Sequence, residues 1–360
     1  MTFLINKRFN LLFSFLFLSS CENTGVLLEP YIDPHIIFTS RRWWNYDIFI
    51  TDIHGDKVTQ LTKNKWLDFN PSISPDGNQL SFVSNRDGNR EIYIMDLIWL
   101  DGFTQWEGRN LRNLTNSKEN DWTPIFSPMS DKIVFTTYFP SNDNYDIFII
   151  NSDGTKKKNI TKTPGYEKFP QFSHDGSFII YQGWQKGKKE IFFTNLLENN
   201  TINLTRNNNS NDILSQGNAI SPDDQKIVFT SDVDGNNNIY LMNIDGAELK
   251  QLTFNKSNDY EPIFSPDGLS IIFTSNRDGN REIYSVDSNG ENLINISNNP
   301  SDDWSPKFYP DNKKIIFQSL REGVSNWEIF IMDNDGKNQR NITNSPGTDY
   351  SFIILPLINP

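Results

Sequence analysis

The chain has 360 residues, a formal net charge of −12, one cysteine and three histidines. No Lys/Arg block offsets the acids, which excludes a protein that lives on nucleic-acid phosphates. A lone cysteine excludes a disulfide framework, and so few histidines argue against a His-based zinc centre or a Ser/His/Asp triad.

In chain order, Lys7 and Arg8 precede FNLLFSFLFLSS at 9–20. This apolar stretch has signal-peptide length and is too short to span a bilayer comfortably. Residues 1–20 are expected to be removed, taking two positive charges with them. LSSC at 18–21 resembles the bacterial lipobox, which implies lipidation of Cys21; the alternative is an ordinary secretory signal with a chance cysteine. Several acyl chains make a durable anchor where one does not. Residues 21–28 read as a short tether. Glu22 follows the cysteine, and resemblance to enterobacterial sorting, where Asp at that place retains a lipoprotein at the inner membrane, favours the outer membrane. The expected location is the bacterial cell envelope, facing the periplasm.

The remainder, residues 29–360, is one repeat array. The clearest unit is DYEPIFSPDGLSIIFTSNRDGNREIYSVDSNGENLINIS at 259–297, and an earlier copy runs DFNPSISPDGNQLSFVSNRDGNREIYIMD at 68–96. The turn serine or its equivalent recurs at Ser74, Ser127, Ser173, Ser221, Ser265 and Tyr309, in steps of 53, 46, 48, 44 and 44 residues. These periods suit propeller blades. Each unit reads as four short strands: one ending at the SPDG turn, one of I-x-F type, EIYxxD after an RDGN-type turn, and a last one ending in Leu-Thr. Sustained helical periodicity is absent from the body of the chain.

Third-strand signatures at Ile48, Ile92, Ile147, Ile191, Ile239, Ile283 and Ile329 give seven copies. The predicted fold is therefore an all-β single propeller of seven four-stranded blades. Six is the alternative count, because six units carry their own turn of the SPDG type. DYSFIILP at 349–356 aligns with DWTPIFSP at 121–128, so the C-terminal strand is expected to complete the first blade and close the ring, leaving few free sheet edges.

The SPDG, IxFxS, RDGxxEIYxMD and LT elements resemble the TolB-type propeller repeat, a relative of WD-repeat blades, over roughly residues 29–356. TolB proteins pair a six-bladed propeller with an N-terminal α/β domain and contact a peptidoglycan-associated lipoprotein. The resemblance thus implies a propeller that binds a protein segment. This chain departs from the family in its seven blade signatures and in the short segment ahead of them.

Strand direction puts the starts of the innermost strands and the loops between strands two and three on one face, termed face A. Trp43, Trp44, Tyr46, Tyr138, Phe139, Trp184 and Trp327 fall in those loops. They are expected to contact a peptide or an envelope glycan, or to cover the blade below. Asp68, Asp121, Glu167, Asp259, Asp303 and Asp349 share the first position of the innermost strand. They are expected as a carboxylate ring at the tunnel mouth, with Ser215 interrupting it in the fourth such strand. Ca2+ would satisfy such acids, with Asp259 and Asp303 as ligands; the alternative pairs each acid with a neighbouring blade's arginine, such as Arg86 or Arg277. Phe69, Trp122, Tyr260, Trp304 and Tyr350, next to the acids, read as interblade packing. The insertion at 97–110, with Trp99, Phe103 and Trp106, either docks a partner or extends a hairpin.

No G-x-S-x-G elbow is present. The expectation is a non-catalytic lipoprotein that binds an envelope protein, peptide or glycan and meets the membrane only through its anchor. The alternative is a carbohydrate-active enzyme, a lyase or glycosidase, that uses tunnel-mouth acids.

Overall fold

The computed structural model describes residues 35–42, 45–100, 105–185, 187–206, 210–215, 217–323 and 325–356. The expected signal segment, Cys21, the tether at 21–28, Trp43, Trp44 and Phe103 lie outside them.

Twenty-eight strands and no helix occur among the described residues, arranged as seven antiparallel sheets of four strands. Blade 1 joins the C-terminal strand Thr348–Ile354 to Ile36–Arg42, Asn45–Thr51 and Thr59–Gln60. The inner strands of blades 2 to 7 are Asp68–Ile73, Asn120–Phe126, Lys168–Phe172, Asp212–Ile213, Asp259–Phe264 and Asp303–Phe308. The count is therefore seven, and the chain's end closes the ring.

Why the blades need each other follows from the second strands. Ile271 and Phe273 pack with Val228, Ile239 and Leu241 of blade 5, while Ile272, between them, packs with Phe308, Ile315 and Phe317 of blade 7. Period-two alternation with both faces apolar forces a sheet to be buried on both sides. Seven apolar clusters result, one at each blade interface. The closing interface is built like the others: Ile36, Phe38 and Phe352 of blade 1 meet Ile316, Ile329 and Ile331 of blade 7.

Repeat residues that looked like signatures are hydrogen-bonding devices. Ser265 Oγ accepts from the Ser270 N–H at 3.0 Å and donates to Asp267 at 2.6 Å, and Gly268 takes φ 73° to complete that turn. At the outer edge, Thr343 Oγ1 accepts from the Ile329 N–H at 3.0 Å and donates to Glu328 at 2.6 Å. The same arrangement recurs at Ser297 with Ile283 and Glu282, and at Thr115 with Ile92 and Glu91. The Leu-Thr and Glu-Ile pairs thus lock strand four to strand three.

The insertion at 97–110 extends a hairpin whose strands are Glu91–Leu100 and Gln105–Asn113. Trp99 and Trp106 stand 5.2 Å apart, and His35 packs edge-on to both at 5.7 and 5.6 Å. Trp106 is buried with Leu355 and Ile37, so this hairpin covers the two chain ends of blade 1 on the face opposite face A.

Candidate functional site

The inner-strand acids occupy one register position. Asp68 pairs with Ser84, Asp121 with Thr137, Asp259 with Ser275, Asp303 with Ser319 and Asp349 with Ser40. In blade 5 the residue at this place is Asp212, opposite Ser231, and not Ser215. The carboxylate series therefore has no gap at blade 5; Ser215 lies farther along, accepting from Gln171 Nε2 through its carbonyl at 2.5 Å.

These acids are not exposed at a tunnel mouth. Asp68, Asp121, Asp212, Asp259, Asp303 and Asp349 each have 0% exposure, and Glu167 has 6%. Arg86 Nη2 donates to both Asp68 oxygens at 2.9 and 3.0 Å, and Arg277 Nη2 to both Asp259 oxygens at 3.0 Å. Arg321 reaches Asp303 at 2.6 Å. Each arginine belongs to the acid's own blade, two residues past its second strand, rather than to a neighbour. The guanidinium is held over aromatic rings, Arg277 lying 4.4 Å from Tyr284 and Arg86 4.5 Å from Tyr93. The backbone joins in across the interface: Asp121, Asp303 and Asp349 N–H groups donate to the carbonyls of Arg90, Arg281 and Trp327 in the preceding blade, at 2.8, 2.8 and 2.7 Å.

Burial raises the carboxyl pKa of several of these acids, Asp303 included in spite of Arg321. Burial, with Asp146 adding like charge, pushes the Glu167 carboxyl up to about 7, and Thr163 donates to it at 2.5 Å. Burial pushes Asp121 up to about 6 against the opposing pull of Lys157, 3.6 Å away. Asp349 is pushed up to about 7 by burial, opposed by Ser40 and aggravated by Glu328 of blade 7. Asp259 and Asp303, the expected Ca2+ ligands, are each committed to an arginine. Among the described residues no group of three or more His, Cys, Asp or Glu is gathered to hold a metal ion. The residues present do not fit resident calcium.

The lumen is lined instead by the next residues along the inner strands. Asn70, Thr123, Phe169, Glu261, Ser305 and Ser351 all have positive φ, between 48° and 57°. Each begins a two-residue bulge opposite one residue of the second strand, as Asn70 and Pro71 stand opposite Phe82. Left-handed backbone costs a non-glycine residue about 1–2 kcal/mol, and the ring of bulges aims these side chains inward. Four of them, Asn70, Thr123, Phe169 and Ser351, bound a cavity of about 220 Å3 with Pro71, Pro124, Pro170, Lys307 and Phe352. Lys307 Nζ donates to the Phe352 carbonyl at 2.6 Å, and desolvation in this enclosure lowers its pKa to about 8. Ser305 Oγ donates to Glu261 at 2.6 Å. Composition gave no hint of these residues; the available signal was the proline that follows the first five of them.

Of the aromatics expected in face A loops, Tyr46, Tyr138, Phe139 and Trp184 instead sit in the ends of the strands Asn45–Thr51, Lys132–Phe139 and Phe178–Gln185. The reason is that the second and third strands pair farther toward that face than the turn signals suggested; Trp327 lies outside a strand. These residues form two clusters. Near the closing seam, Tyr46 packs edge-on to Tyr350 at 5.5 Å, and Trp327, Trp304, Tyr350, Arg281, Gln318 and Thr348 line a pocket of about 290 Å3. At blades 3 and 4, Tyr138 packs on Tyr145 at 4.5 Å and Trp184 meets Tyr166 at 5.8 Å. Phe139 lies 6.1 Å from Phe148 and covers its own blade. The aromatics beside the acids do pack between blades, Phe69 with Trp122 at 6.0 Å and Tyr260 with Trp304 at 5.6 Å. Trp304 and Tyr350 also face the pocket.

A family model described as the TolB beta propeller domain matches residues 213–346. A TolB homologue of Chlorobium luteolum is 28% identical over 162 residues, which are 45% of this chain and 34% of that protein. The chain spans between 27% and 46% of the length of four of the curated relatives it matches. Among solved structures, TolB from Acinetobacter baumannii is similar with a TM-score of 0.57 at 18% identity, over 90% of this chain and 83% of that one. An oligogalacturonate lyase from Vibrio parahaemolyticus is similar with a TM-score of 0.61 at 12% identity, over 87% and 85%. Likeness at such identity is a likeness of fold.

Proposed function

We propose that this chain, whose blades match the TolB beta propeller domain over residues 213–346, is a non-catalytic TolB-like propeller of the bacterial cell envelope that binds a segment of a partner protein on face A. Lipidation at Cys21 holds it at the outer membrane with the propeller in the periplasm. The observation that carries the reading is the pocket of Trp304, Trp327, Tyr350, Arg281, Gln318 and Thr348 beside the lumen. Half-buried aromatic rings with an arginine on a rigid frame are the residue types that dominate protein recognition. Arg281 lies 4.8 Å over the Trp304 ring, which holds both side chains in place before a partner arrives.

The buried state of the seven inner acids supports binding over polysaccharide cleavage. A glycosidase needs two carboxyls open to the sugar, whereas these acids serve arginines, hydroxyls and the blade seams. An envelope glycan is the second ligand class that the aromatic pocket suits.

Purified chain carrying Cys21→Ser, used as bait on envelope extract, should retain a protein that is lost with Trp304→Ala or Trp327→Ala at unchanged melting temperature. Retention unaffected by both substitutions, or depolymerisation of an envelope or plant polysaccharide by the same preparation, overturns the proposal.

A further inference from the structure

The position after the inner acid is aromatic in five blades, at Phe69, Trp122, Tyr260, Trp304 and Tyr350, and is Lys168 in blade 4. Around that lysine the neighbouring elements bring three rings. Lys168 Nζ lies 3.6 Å from the centre of Tyr145, 5.7 Å from Tyr166 and 5.9 Å from Trp184. Tyr145 and Tyr166 stand 5.6 Å apart, and Tyr138 backs Tyr145. Asp143 fixes the walls by accepting from the Tyr166 hydroxyl at 2.6 Å and the Tyr138 hydroxyl at 3.2 Å. The backbone is fixed as well: Tyr145 N–H donates to the Gly165 carbonyl at 3.2 Å, and Glu167 N–H to the Tyr145 carbonyl at 3.0 Å. These contacts hold a blade 3 ring against blade 4 with little freedom to collapse.

We propose that Tyr145, Tyr166 and Trp184 form an aromatic cage for the quaternary ammonium head of a small ligand, in which the Lys168 ammonium is the resident stand-in. Three ring faces within about 6 Å of one cation are the arrangement that attracts a cation through the ring quadrupoles. The lysine itself is a poor occupant. Its ammonium is compact and strongly hydrated, so burial disfavours it, and Lys189 adds like charge from 5.6 Å over the same Trp184 ring. A trimethylated nitrogen has no N–H to satisfy and a weaker hydration shell, so it loses less on entering the same ring faces. Asp143 on the wall and the net charge of −12 favour a cation at this place. Lys168 has a flexible stem and is half-buried, so it can yield the cage without moving the inner strand. The cage stands apart from the pocket at the closing seam, and the inference does not depend on what that pocket binds.

The test is titration of the purified full chain with choline chloride, followed by the upfield ring-current shift of the choline methyl protons, beside its uncharged isostere 3,3-dimethyl-1-butanol. Saturable choline binding is expected, tightened at least about tenfold by Lys168→Met and weakened at least about tenfold by Tyr145→Leu and by Trp184→Leu, a change of about 1.4 kcal/mol each. The alcohol should show no saturable shift. The proposal is overturned if neither the parent nor Lys168→Met shifts the methyl signal, if the alcohol binds as well as choline, or if Lys168→Met fails to tighten binding. Loss of binding in only a misfolded Tyr145→Leu does not count as support, because Trp184→Leu at unchanged melting temperature must show it too.

Discussion

The backbone N–H of Asp349 donates to the carbonyl of Trp327 at 2.7 Å. The last strand is therefore stitched to blade 7 as well as paired with Ile36–Arg42 in blade 1. One short strand closes the ring, and the sequence-distant ends of the chain depend on each other.

Phe352 carries the apolar part of that closure, 2% exposed among Ile36, Phe38, Ile316 and Ile329. Phe352→Ala should cost about 3–5 kcal/mol. Urea unfolding should show a lower midpoint, with residues of blades 1 and 7 losing hydrogen-exchange protection first.

Arg277 and Asp259 should behave as a coupled pair. Arg277→Ala leaves a fully buried carboxylate without its cation and should destabilise by about 3 kcal/mol or more. Adding Asp259→Asn should restore part of the loss, so a double-mutant cycle by denaturant unfolding should give a coupling well above 1 kcal/mol in size.

Stability should fall as pH rises from about 4 to about 7. Glu167 and Asp349 have folded-state pKa values raised to about 7, chiefly by burial, against about 4 unfolded. Between those values the folded state binds more protons than the unfolded one, so each acid penalises folding increasingly with pH and levels off above about 7. Asp349→Asn should raise the melting temperature at pH 8 and flatten its dependence between about pH 7 and 4, read by calorimetry.

The long hairpin of blade 2 should matter to the closure of blade 1. Trp106→Ala removes a ring buried against His35, Trp99 and Leu355, and should cost about 3–5 kcal/mol. A chain whose melting temperature is unchanged by this substitution would show the hairpin to be a free surface feature.

Much of the architecture was legible because repeats report on packing. The I-x-F alternation and the SPDG turns are local devices, and a sheet apolar on both faces has to meet neighbours on both sides. The site was less legible. Counting back six residues from Ser221 points to Ser215, by analogy with Asp259 and Ser265, yet the chain takes nine residues from Asp212 to the same turn. Strand register, which couples residues far apart in sequence, made Asp212 the true equivalent.

By itself the sequence determined the repeat, the alternation that buries each blade and the C-terminal segment able to complete the first one, while the choice of seven blades over six came from the sheets. Only the tertiary structure decided what the acids do and what lines the lumen. Burying a carboxylate depends on whether an arginine such as Arg86 can reach it across two strands, and that is a matter of three-dimensional register. Left-handed backbone at Asn70 or Thr123, just before a proline, runs against local preference; the bulge that permits it exists only when two strands pair around an axis.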